Sequence, residues 1–79
     1  MASVVIVYST PLCAPCEELK AYLRARGVAF VVKDLLMDEA AAERLEARGI
    51  RTAPALEIDG EILAGAALNP QTVAALLGL

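Results

Sequence analysis

Ser3-Val4-Val5-Ile6-Val7-Tyr8-Ser9-Thr10-Pro11-Leu12-Cys13-Ala14-Pro15-Cys16 runs an apolar, β-branched segment directly into a closely spaced pair of cysteines. Ser3 to Tyr8 reads as a buried strand, and as a central one if both its faces are covered. Ser9-Thr10-Pro11 ends it. A helix is predicted to follow from Pro15 to Arg26. Pro15 suits its first turn, where a missing N–H costs nothing. Leu19, Tyr22 and Leu23 fall on one face of that helix, while Glu17, Lys20 and Arg24 lie elsewhere.

Outward from this unit, Gly27 ends the helix and Val28-Ala29-Phe30-Val31-Val32 reads as a second strand. Asp38 is suited to cap a second helix, Glu39 to Arg48. Leu23-Arg24-Ala25-Arg26-Gly27-Val28 and Leu45-Glu46-Ala47-Arg48-Gly49-Ile50 are near copies of each other. Duplication is one reading. Two helix ends are the simpler one, each with a basic last turn, a left-handed Gly and an apolar residue after it. Ala55-Leu56-Glu57-Ile58, Asp59-Gly60 and Glu61-Ile62-Leu63 form a hairpin signal, because Asp-Gly supplies the positive φ values of a tight turn. Asn69 and Pro70 open a last helix with Val73, Leu76 and Leu77 on one face.

The order β-α-β-α-β-β-α predicts one α/β domain over residues 1–79. The first β-α-β unit gives two parallel strands, the hairpin adds two antiparallel ones, and three helices flank the four-stranded mixed sheet. With 79 residues the core is small. The net charge is −3 without a basic run, which argues against nucleic acid and anionic membranes as partners. Met1–Cys16 and Ile62–Leu79 carry no charge, but polar residues and prolines interrupt both. A membrane span needs roughly 20 mostly apolar residues. The first stretch also lacks the positive start of a signal peptide. A soluble, cytoplasmic, monomeric protein is the expectation.

Cys13 and Cys16 sit where a strand hands over to a helix, and the chemistry of a thiolate favours that place. Helix-terminal N–H groups and the macrodipole stabilise negative charge there. At the exposed helix start, Cys13 is the expected nucleophile. Cys16, one turn in, is the expected resolving thiol for a mixed disulfide on Cys13. Other uses of such a pair exist. Half of a structural zinc site would need two more ligands, and the chain has no His and no further Cys. A soft-metal carrier also places two such cysteines between a first strand and a first helix, but then continues with two strands rather than a second helix. A purely structural disulfide would close only a tiny loop and constrain little. Arg51-Thr52-Ala53-Pro54 precedes the third strand, and a proline there can be a simple strand-entry breaker.

Taken together, a strand–CxxC–helix opening, Thr52-x-Pro54 before a strand and Gly65 soon after a hairpin resemble the glutaredoxins and related thioredoxin-fold redoxins, over nearly the whole chain. The resemblance implies a sheet order of second, first, third and fourth strand. It implies a cis Pro54 lying against the cysteine pair. It also implies that the backbone of Ala53 pairs with a substrate's cysteine segment as a short added strand. Thr52, Arg51 and Gly65 join the implied substrate-binding set. Arg51 is a partner for a substrate carboxylate, unless it is merely a solvated loop charge. Lys33 and Asp34 end the second strand, with Asp34 either tuning proton transfer to Cys16 or serving only as a strand end. Tyr8 reads as core or as a wall of the site.

The implied activity is thiol–disulfide exchange on protein disulfides, with no bound cofactor and no metal. Electrons would come from a reductase or a low-molecular-weight thiol. The alternative is a soft-metal or iron–sulfur binding protein using the same cysteines. Two departures from the glutaredoxin pattern refine this. The Ala14-Pro15 interior is closer to the thioredoxin motif, so a potential of roughly −200 to −270 mV is expected, between the two families. Ala64-Gly65-Ala66-Ala67-Leu68 holds no acid where glutaredoxins anchor the ammonium group of glutathione, so weak glutathione recognition is expected.

Overall fold

The structure, a computed structural model, describes residues 4–79; Ser3, read as the start of the first strand, lies outside them. Strand β1 (Val5–Ser9) leads through the cysteine loop into helix α1 (Ala14–Ala25). Then come β2 (Val31–Asp34), α2 (Glu39–Glu46), β3 (Ala55–Ile58), β4 (Glu61–Ala64), a 3₁₀ turn (Gly65–Ala67) and α3 (Pro70–Leu77). The sheet order is β2-β1-β3-β4, as the resemblance implies. β1 pairs parallel with β2, from Ile6 opposite Val31 to Ser9 opposite Asp34. It pairs antiparallel with β3, from Val5 opposite Ile58 to Tyr8 opposite Ala55.

Alternation along these strands splits the core in two, since successive side chains point to opposite faces. Val5 and Val7 join Leu56, Ile58 and Leu63 under α1 and α3, which contribute Leu23 and Val73. On the opposite face, Tyr8 and Ala55 pack against Ala41 and Leu45 of α2. Leu19 and Tyr22 pack beside Leu23, as their helical spacing predicts.

The turn chemistry explains most element ends. Asp59 and Gly60 both have positive φ, 49° and 90°, which suits the two-residue β3–β4 turn. The side chains of Asp38 and Asn69 accept the N–H groups of Ala41 and Thr72 at 3.0 and 2.9 Å, capping α2 and α3.

Several details differ from the sequence reading. The second strand starts at Val31, not Val28. Gly27 N–H bonds Arg24 O, and Val28 N–H is held by Leu23 O at 3.0 Å. These close the helix end, so Val28 is spent on capping rather than pairing. The same two bonds recur at Gly49 and Ile50, so the repeated segments are two helix ends. That closure also stops α2 at Glu46 rather than Arg48. On α3, Val73 and Leu77 face the core while Leu76, at the edge of the stripe, is exposed.

Candidate active site

Cys13 occupies the N-cap of α1 in an extended conformation, and its sulfur accepts the N–H of Cys16 at 3.1 Å. The residue at this position must turn the chain from β1 into the helix, so its side chain lies against the free N–H groups of the first turn. Cys13 and Cys16 form a disulfide with Cα atoms 5.2 Å apart. Cys16 is fully buried, whereas Cys13 is only half-buried. Of the two cysteines, Cys13 is therefore the one that reaches the surface.

Leu12, directly before it, has φ 56° and is completely exposed. A leucine in the left-handed region is uncommon, because its Cβ crowds the following carbonyl. Neither its conformation nor its exposure was legible from composition.

The Ala53–Pro54 bond is cis, as the resemblance implies. Pro54 and Pro15 line one groove of about 280 Å³, together with Leu19, Tyr22 and Leu68. The cysteine motif and the proline loop thus each contribute a proline to one groove. Ala53 is half-buried next to this groove. Arg51 and Thr52 are exposed and line a second cavity of about 360 Å³ with Thr10, on the α2 side of the sheet. Gly65 has φ 59° and opens the 3₁₀ turn that carries the chain toward Leu68. Asp34 serves its own loop: its carboxylate accepts Leu36 N–H at 2.8 Å and its carbonyl accepts Asp38 N–H at 2.8 Å.

A polar cluster behind the site, in which Tyr8 and Glu57 are buried and Arg44 is exposed, was missed from the sequence. The Tyr8 hydroxyl donates to Glu57 Oε1 at 2.6 Å. Arg44 donates to the same carboxylate through two nitrogens, at 2.9 and 3.1 Å. The Arg44 fork holds the Glu57 carboxyl below the usual glutamate value, against the opposing effect of burial. Burial, reinforced by the Glu57 carboxylate, raises the Tyr8 hydroxyl above the ordinary tyrosine value. The only advance signal was a carboxylate inside the apolar run Ala55–Ile58.

Among the described residues, no cluster of three or more His, Cys, Asp or Glu side chains is arranged to hold a metal. Nor is any helix long and apolar enough to cross a membrane.

Comparison with known proteins places this geometry. The family model described as Glutaredoxin matches residues 5–63. A curated relative, an uncharacterized glutaredoxin-like 8.6 kDa protein in the rubredoxin operon of Clostridium pasteurianum, is 36% identical over 62 residues, covering 75% of this chain and 80% of the relative. The crystal structure of the thioredoxin-like protein BC3987 is similar with a TM-score of 0.80 and 34% identity, over 92% of this chain and 99% of that one. The glutaredoxin-like NrdH-redoxin of Escherichia coli, described as having a thioredoxin-like activity profile, is similar with a TM-score of 0.72 and 26% identity, over 77% of this chain and 80% of that one.

Proposed function

The chain belongs to the glutaredoxin family, whose chemistry is thiol–disulfide redox, and from that premise we propose that it is a dithiol electron carrier reducing disulfides in proteins. The observation that carries the reading is the asymmetry of the two sulfurs. Cys13 is reachable and receives an N–H at the helix start, while Cys16 is sealed one turn in.

In the reduced protein, the Cys13 thiolate attacks one sulfur of the substrate disulfide. A Cys13–substrate disulfide forms, and the other substrate sulfur leaves as a thiolate and takes up a proton. Cys16 then loses its proton and attacks the sulfur of Cys13. The Cys13–Cys16 disulfide forms, and the second substrate sulfur is released as a thiolate. The substrate gains two electrons and the cysteine pair loses two. A reductase or a low-molecular-weight thiol returns them. Lowering the energy of the Cys13 thiolate favours its formation, so more of the reduced protein stands ready for the first attack.

A protein is the favoured substrate for three reasons. The Ala53 backbone, beside the cis Pro54, is suited to pair with an extended cysteine segment of any sequence. Leu12 presents a fully exposed apolar side chain next to Cys13. The segment Ala66-Ala67-Leu68 has no acid for the ammonium group of glutathione. The thioredoxin-like activity profile described for the NrdH-redoxin supports the same assignment. Arg51 remains available to a substrate carboxylate, and Thr52 and Gly65 shape the loops around the pairing segment. The test is reduction of insulin by the purified protein, with thioredoxin reductase or glutathione plus glutathione reductase as donor. No turnover with either donor would refute the reading.

A further inference from the structure

We propose that Arg44 and Glu57 form a clasp that holds the Arg51–Pro54 loop in place for pairing with a disulfide substrate, which makes Arg44 a positioning residue for the redox reaction. The inference rests on the reading of Ala53 as the substrate-pairing backbone. Residues 47–54 connect α2 to β3, and the two flanks of this segment are held differently. On the α2 side, Leu45 O accepts Arg48 N–H and Ile50 N–H at 3.0 and 2.9 Å, and Glu46 O accepts Gly49 N–H at 2.9 Å. On the β3 side, Ala55 pairs with Tyr8 and with Ala64.

Between these flanks, among the described residues, no backbone N–H of Arg51, Thr52 or Ala53 bonds another backbone group. These groups are therefore open to a substrate strand, but the loop has no ladder of its own to set its position. Its placement follows from the distance and angle between its two ends.

Arg44 lies on the last turns of α2 and Glu57 on β3, so their ion pair spans the loop from one end to the other. The contact has two points, Nε to Oε1 and Nη2 to Oε2, so it fixes an orientation as well as a distance. Its far side is anchored too. Tyr8, fully buried on the central strand, donates to Oε1 of the same carboxylate. That strand leads directly to Cys13, so the clasp ties the substrate-pairing loop to the element that places the nucleophile. Apolar packing alone holds α2 modestly, because only Ala41 and Leu45 of its eight residues are buried.

The test compares the full-length protein with Arg44→Met and Arg44→Lys. The first removes the charge and the fork; the second keeps a charge but contacts the carboxylate as a point. Folding of each is checked by circular dichroism. Three quantities are then read: KM and kcat for insulin reduction, the carboxymethylation rate of Cys13 in the reduced protein, and the tryptic cleavage rate at Arg51–Thr52. In folded Arg44→Met, KM should rise about tenfold, as expected when a binding segment loses its placement. Cleavage at Arg51–Thr52 should accelerate by a comparable factor, through easier local opening, while kcat and Cys13 carboxymethylation stay within about twofold of wild type. Arg44→Lys should fall between the two.

If Arg44→Met folds but does not retain wild-type stability, Arg44→Lys alone serves, with a smaller shift of the same pattern expected. Unchanged KM and unchanged cleavage in a folded variant would overturn the clasp. So would a parallel loss of Cys13 carboxymethylation, which would mean general loosening rather than loop placement. A wild-type protein inactive on insulin, with cleavage still accelerated in Arg44→Met, would remove the substrate reading and leave the clasp as the device that orders the loop.

Discussion

The backbone N–H of Cys16 donates to the sulfur of Cys13 at 3.1 Å, so the side chain that caps α1 is itself one sulfur of the disulfide pair. A side chain that caps a helix is held by the free N–H groups of the first turn, and those groups favour negative charge. Cys13 should therefore be the more readily ionised thiol once the pair is reduced. Cys13→Ser should abolish disulfide reduction, and Cys16→Ser should accumulate a mixed disulfide through Cys13. Mass spectrometry of the trapped species identifies the sulfur, and trapping through Cys16 in the Cys13→Ser variant would reverse the assignment. A thiolate absorbance titration of the reduced protein should place Cys13 below an ordinary cysteine thiol.

Leu12 carries two costs at once, a left-handed backbone and full exposure of an apolar side chain. A left-handed conformation costs a non-glycine residue roughly 1–2 kcal/mol, whereas glycine adds roughly 0.5–1 kcal/mol of unfolded-chain entropy. Leu12→Gly should therefore stabilise the fold by about 0.5–1 kcal/mol, seen as a higher urea midpoint. If the side chain contacts protein substrates, the same variant should lose more activity on insulin than on a small disulfide. A more stable variant with undiminished insulin turnover would rule out the contact.

The Tyr8–Glu57–Arg44 cluster links stability to pH at both ends of the scale. The folded Glu57 carboxyl titrates below the ordinary glutamate value of 4.5, chiefly through its bonds to Arg44. Its contribution is complete above that value and is lost as pH falls through the folded one. The folded Tyr8 hydroxyl titrates above the ordinary 10.0, chiefly through burial. Stability from this group is complete below 10.0 and is lost as pH rises through the folded value. Glu57→Gln should flatten the acid limb of the urea-midpoint profile, and Tyr8→Phe should flatten the alkaline limb. Profiles parallel to wild type would show that the cluster is not linked to folding.

Glutathione recognition offers a gain-of-function test. The turn Gly65–Ala67 and Leu68 provide no carboxylate. One missing charge-assisted hydrogen bond is worth about 1.5–3 kcal/mol, or roughly ten- to a hundredfold in affinity. Wild-type protein should turn over insulin in preference to a glutathionylated peptide. Ala66→Asp or Ala67→Asp should raise turnover of the glutathionylated peptide. Strong preference of the wild type for that peptide would mean the groove is anchored by other residues.

Much of this architecture is written in local chemistry. The β-branched run up to Tyr8, the cysteines at a strand-to-helix handover, Asp59-Gly60 and the caps Asp38 and Asn69 each act within a few residues, and each lies where its pattern places it. The order of elements follows from them, and the strand order and the cis Pro54 follow from the resemblance those motifs carry. What the sequence left open depends on groups far apart along the chain. Val28 caps a helix instead of pairing because Leu23 O reaches it first. Glu57 meets Tyr8 across 49 positions and Arg44 across 13. Those meetings depend on which strands pair, in what register, and which face α2 covers. A carboxylate in an apolar strand reads as a defect until the sheet brings a hydroxyl and a guanidinium to it. Burial then makes the contact decisive, because an unpaired charge there would be costly. Periodicity reports which face a side chain occupies, but only the folded sheet decides what stands opposite it.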